Sequence, residues 1–118
     1  KTILTRSEVH QFDNSVKPTT KHLAGITPFY LNFTYTVSKM DGVYLHDPTT
    51  LAYLVAPEAF QTQSWAIRVE TEGFSRGKTW PAGRMNKWTV AWHNRPSVTI
   101  CVDVDGPRIS QLILDRLI

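Results

Sequence analysis

Two hydrophobic periods divide this chain. Between Thr19 and Met40 the apolar residues fall three or four apart; between Trp65 and Val104 they alternate with polar ones. The first spacing makes one face of a helix and the second a half-buried strand. A chain carrying both must fold as a mixed structure in which helices and strands each bury one face. Its 118 residues leave room for one domain, or a piece of one.

Ile3, Leu4, Val9 and Phe12 suggest a strand-like arm, closed by a polar break from Asp13 to Lys17 and by Pro18. Leu23, Ile26, Tyr30, Phe33, Val37 and Met40 predict an amphipathic helical face. Pro28 should divide it into two helical pieces, with Thr27 capping the longer one and Asp41-Gly42 ending it. A short helix should follow, with Asp47 as N-cap, Pro48 in its first turn and Pro57 as its stop. Trp65, Ile67, Val69 and Thr71 alternate as a strand; Gly73 and Gly77 flank a connection, and Lys78-Thr79-Trp80 should pair back. Trp88, Val90 and Trp92 read as another strand, and Val98, Ile100, Val102 and Val104 as a further one. Asp105-Gly106-Pro107 opens a last helix whose buried face is Ile109, Leu112, Ile113 and Leu117.

Composition removes several classes. Hydrophobic residues at 42% and charged residues at 19% exclude disorder as a description of the chain. No apolar run approaches the ~18 residues of a membrane-spanning helix. One cysteine, Cys101, excludes an intrachain disulfide and a cysteine-based zinc site, and points to a reducing, cytoplasmic setting. On its predicted strand it reads as a packed small residue. The net charge of +3 is spread out; Arg76, Lys78, Arg84 and Lys87, near Trp80 and Trp88, form only a loose basic set. The chain starts at Lys1 without a charged-then-apolar leader, which is the expectation for a segment of something longer.

Gly42-Val43-Tyr44-Leu45-His46-Asp47-Pro48 is the stretch richest in chemistry. On local pattern alone Asp47 is a helix cap and His46 a partly buried histidine held by a neighbour. No G-x-S-x-G, P-loop, G-x-G-x-x-G or H-E-x-x-H accompanies them.

That run continues into Thr49-Thr50. After it come Pro57-Glu58-Ala59-Phe60, Val69-Glu70-Thr71-Glu72-Gly73 and Ser75-Arg76-Gly77-Lys78-Thr79, then Arg95-Pro96-Ser97-Val98 and Val102-Asp103-Val104-Asp105. In this order and spacing they resemble the C-terminal part of the inosine-uridine-preferring nucleoside hydrolases, from about Thr19 to Ile118. The resemblance implies an α/β parent fold, an open and mostly parallel sheet with flanking helices. Residues 1–118 would be the C-terminal segment of that single domain: helices plus a small mixed or antiparallel sheet. It implies calcium-dependent hydrolysis of the N-glycosidic bond of a ribonucleoside, giving ribose and free base, by a homo-oligomer. Carried over residue by residue, Asp47 becomes a calcium ligand and His46 the acid that protonates the leaving base. Tyr35, off the apolar face of its helix, becomes a substrate-binding candidate, for stacking on the base or hydrogen-bonding to it. These roles suit the residue types: calcium takes oxygen ligands, and histidine delivers a proton near neutral pH.

The family's opening Asp-x-Asp-x-Gly-x-Asp-Asp loop has no counterpart here, since neither Asp13-Asn14 nor Asp103-Val104-Asp105 matches it. The ribose-gripping Asn and Glu residues are missing too. The expected partner is therefore the N-terminal part of the same enzyme, and the 118 residues alone should be inactive. Two readings compete: a non-catalytic hydrolase-like binding or subunit-contact module, and a basic nucleic-acid binder using the tryptophans. The hydrolase reading, with neither nucleic acid nor membrane as partner, is the one the motifs favour.

Overall fold

A computed structural model describes residues 1–82 and 92–118. The expected strand residues Trp88 and Val90, and the basic Arg84 and Lys87, lie outside the described residues. The chain forms two compact units, one of Lys1–Phe60 with Val104–Ile118 and one of Gln61–Asp103. Among the described residues, no helix is long and apolar enough to cross a membrane.

The first unit begins with strand β1 (Ile3–Thr5), which is much shorter than the arm expected from Ile3 to Phe12. Thr5 ends it by capping helix α1 (Arg6–Val9): its hydroxyl accepts from the Glu8 N–H while the Glu8 carboxylate accepts from the Thr5 N–H at 2.7 Å. This reciprocal capping box favours helix at once. The turn continues through a 3-10 segment, His10–Asn14, and so drives Val9 and Phe12 into the core together.

Helix α2 (Pro18–Ser38) runs unbroken through Pro28, where two pieces were expected. A proline inside a helix costs roughly 3 kcal/mol through one lost backbone bond and ring crowding. Pro28 faces solvent, and packing of Leu23, Ala24, Tyr30 and Leu31 against the core on both sides of it holds the helix together. The buried face also differs from the expected one. Thr20, Leu31 and Thr34 are buried, whereas Ile26, Phe33 and Val37 are 51–69% exposed. Threonines can occupy this face because each hydroxyl has an acceptor. Thr34 Oγ1 donates to the Gly42 carbonyl at 2.6 Å, Thr20 Oγ1 to the Leu117 carbonyl, and Thr27 Oγ1 to the Leu23 carbonyl at 2.8 Å. The helix stops before Asp41-Gly42, at Lys39, whose φ of 56° is left-handed.

Strand β2 (Gly42–Tyr44) pairs antiparallel with β1 in the register Ile3↔Tyr44, Leu4↔Val43, Thr5↔Gly42. A Cβ at Gly42 would lie 2.5 Å from the Leu4 carbonyl oxygen, closer than real side chains come. Gly42→Ala therefore has to push the strands apart. We expect a loss of about 1–3 kcal/mol, read as a lowered urea midpoint with an unchanged m-value.

Helix α3 (His46–Val55) follows, then a 3-10 turn, Pro57–Ala59. Helix α4 (Gly106–Leu117) starts at Asp105, whose carboxylate accepts from the Arg108 N–H at 3.1 Å. It packs its buried Ile109 on Ala52, Ala56 and Ala59 and contributes Leu114 to the cluster of Leu4, Val9, Phe12, Leu31, Val43 and Leu45. Ser110 Oγ donates to the Ile3 carbonyl at 2.8 Å, which ties α4 to β1. Of the expected α4 face, Ile109 is fully buried while Leu112, Ile113 and Leu117 are half-buried.

The second unit is a three-stranded sheet in the order β4-β3-β5, made of β3 (Phe60–Val69), β4 (Thr79–Pro81) and β5 (Ser97–Val104). Here the alternation located the strands but neither their bounds nor their burial: β3 begins before Trp65 and ends before Thr71, and Val69, Val98 and Val102 are exposed. β3 and β4 pair antiparallel, with Ile67 opposite Pro81 and Val69 opposite Thr79. Gly73 and Gly77 turn the chain with φ of +69° and +87°. Lys78 Nζ sits 4.1 Å over the Trp80 ring, a cation–π contact, so this part of the loose basic set is occupied within the hairpin. Cys101 is exposed, not packed as expected: every residue of β5 except Ile100 and Val104 is open to solvent.

Candidate active site

The His-Asp pair stands at the junction of β2 and α3. Leu45 sets this junction. Its side chain is buried with Leu4 and Val43, its N–H donates to the Thr2 carbonyl at 3.1 Å, and its carbonyl accepts from the Thr49 N–H at 3.1 Å. Leu45, with φ of −102°, is thus the helix cap, two residues earlier than expected. Asp47 is not the N-cap; it lies inside the first turn, and no side chain caps this helix. The reason is tertiary: burying Leu45 and bonding it to Thr2 forces helical geometry from His46 onward. The Asp47 carboxylate keeps its favourable place near the positive helix end, on an exposed residue that makes no capping bond.

His46 is exposed, where partial burial was expected. Its neighbour is Tyr44: the two rings stack with centroids 5.1 Å apart and planes at 19°. Beside them is a cleft of about 290 Å³ lined by Lys1, Thr2, Tyr44, Leu45, His46, Thr49 and Val104. Thr2 Oγ1 is buried on this lining without a hydrogen-bond partner among the described residues. Tyr35 does not line this cleft; it lies exposed in the last turn of α2, with Lys39 Nζ 5.5 Å from its ring centre. Sequence reading missed Tyr44, Thr2 and Thr49. Tyr44 had a signal, its i, i+2 spacing to His46 at a strand end; Thr2 had none, because only strand pairing brings it to Leu45.

Among the described residues, no three His, Cys, Asp or Glu side chains come close enough together to hold a metal ion. Asp47 offers one hard oxygen donor, exposed and not engaged in capping, which suits a shared calcium site and cannot make one alone.

The backbone closely follows that of a plant nucleoside hydrolase, PpNRh1, with a TM-score of 0.89 and 26% identity over 98% of this chain and 37% of that one. These elements thus define a nucleoside-hydrolase fold, with the helices and small antiparallel pairings expected. Residues 1–111 match the family model for inosine-uridine preferring nucleoside hydrolase, and the chain belongs to that family. It is 32% identical over 117 residues to "Probable uridine nucleosidase 2" of Arabidopsis thaliana, covering 98% of this chain and 36% of the relative. It is 39% identical over 77 residues to the pyrimidine-specific ribonucleoside hydrolase RihA of Escherichia coli, covering 64% of this chain and 23% of that protein. The chain thus spans about a third of the length of the relatives it matches over most of its residues.

Proposed function

We propose that this chain is part of an enzyme that hydrolyses the N-glycosidic bond of ribonucleosides to ribose and free base, with calcium as cofactor. The observation that carries this reading is the His46-Asp47 pair: an exposed imidazole on a cleft, next to a carboxylate free of capping duty. His46 would hold a proton at the edge of the departing nucleobase and release it as the bond to ribose breaks. The oxocarbenium-like state then forms without expelling an anionic base. Asp47 would supply one oxygen ligand. What calcium supplies when bound is a held water of lowered pKa and an anchor for the ribose hydroxyls. The other ligands, the general base and the ribose-holding groups belong to the remaining two thirds of the relatives' length, which is the partner this reading requires. Tyr35, exposed on α2 outside the cleft beside His46, stands as a substrate-binding candidate on the family resemblance alone, and the enzyme would work as a cytoplasmic homo-oligomer.

Residues 1–118 alone should release no ribose and should bind calcium with a Kd weaker than about 1 mM, because calcium needs six or more oxygens. Ile26, Phe29 and Val37 on α2, and Leu51, Leu54 and Val55 on α3, are more than half exposed, so the isolated chain should self-associate. Adding the complementary segment in trans should relieve this and restore turnover. Calorimetry with calcium and a ribose-release assay check both statements. Micromolar calcium affinity and turnover by the isolated chain would overturn the shared-site reading. A restored assembly that binds nucleoside without cleaving it would favour the contact-module alternative.

A further inference from the structure

Tyr44 closes β2 and His46 opens α3, with Leu45 between them as the helix cap and its side chain buried in the core. Across this junction the two rings meet, 5.1 Å apart and nearly parallel. They are not equally held. Tyr44 is half-buried, paired in register with Ile3, and has Lys1 Nζ 5.6 Å from its ring centre. His46 is exposed and, among the described residues, its ring has no other stacking partner. An imidazole that projects into solvent from a first helical turn can adopt several staggered rotamers. Resting it on a fixed phenol selects among them.

We propose that Tyr44 is a positioning residue for His46, holding the imidazole against the cleft in the orientation that protonates the leaving base. This rests on the reading of His46 as the leaving-group acid. Tyr44 itself need not touch the base; its action is to raise the fraction of time His46 points correctly. A stacked pair of this kind accounts for a population bias of about three- to tenfold.

The test is the ratio of kcat on uridine to kcat on nitrophenyl riboside, whose leaving group needs no proton, measured in the full-length enzyme. Tyr44→Ala and the bulk-retaining Tyr44→Leu should each lower this ratio about three- to tenfold, and Tyr44→Phe should restore it, since the ring and not the hydroxyl makes the contact. In the His46→Ala background Tyr44→Leu should lower the ratio no further, as expected for residues acting as one unit. A purely structural role of Tyr44 would reduce both substrates alike and leave the ratio unchanged. An unchanged ratio in Tyr44→Leu, with the ratio lowered in His46→Ala, overturns the positioning role and leaves the acid reading standing. An unchanged ratio in His46→Ala overturns both.

Discussion

Asp47→Ala in the full-length enzyme should lose bound calcium and activity together, with kcat/KM falling on the order of 10³-fold or more, the scale of removing a metal that activates water. Stability should hardly change. A capping Asp replaced by Ala costs about 1 kcal/mol, but Leu45 occupies the cap here and Asp47 contributes only its charge near the helix end. That contribution is about 0.3–1 kcal/mol. The expected pattern is therefore a stable, metal-poor, inactive protein. Metal content, ribose release and a urea melt on one preparation check it. Asp47→Asn separates the two roles further: it keeps an oxygen donor and removes the charge, so calcium affinity should fall less than in the alanine variant. An active, calcium-replete Asp47→Ala enzyme would end the ligand assignment.

His46→Ala should lower kcat on a natural ribonucleoside by about 10²–10⁴-fold, the usual share of a positioned acid. On nitrophenyl riboside the loss should be far smaller. His46 is exposed and its ring supports no core contact, so the variant should fold and bind calcium like the parent. Equal losses on the two substrates would remove the proton from His46 and leave only a binding role.

The two predictions rest on features that differed in legibility. The His-Asp-Pro run and its order relative to Val69-Glu70-Thr71 and Arg76-Gly77 were visible as a linear pattern. That Asp47 is free of the cap was not visible. Asp before Pro is a good local cap signal, and it lost to the burial of Leu45 and the bond from its N–H to Thr2. Likewise, Thr27-Pro28 reads as a helix start, yet α2 continues through it because residues on both sides pack on one core.

Local physics determined what the sequence by itself could say: the existence of strands over residues 65–69 and 98–104, the positive-φ turns at Gly73 and Gly77, the Asp105 cap of α4 and the stop at Pro57. Each depends on steric or hydrogen-bonding rules spanning four or five residues. Tertiary structure alone decided the rest. Which stripe of α2 is buried was settled by Leu117 and Gly42, whose carbonyls accept the Thr20 and Thr34 hydroxyls and so admit threonine where a hydropathy pattern places Ile26 and Phe33. The cleft beside His46 needed Lys1 and Thr2 brought alongside Tyr44 and Leu45 by the pairing of β1 with β2. A hydrogen bond or ring contact across some forty residues leaves no period in the sequence, because its energy appears only once both partners have been brought together.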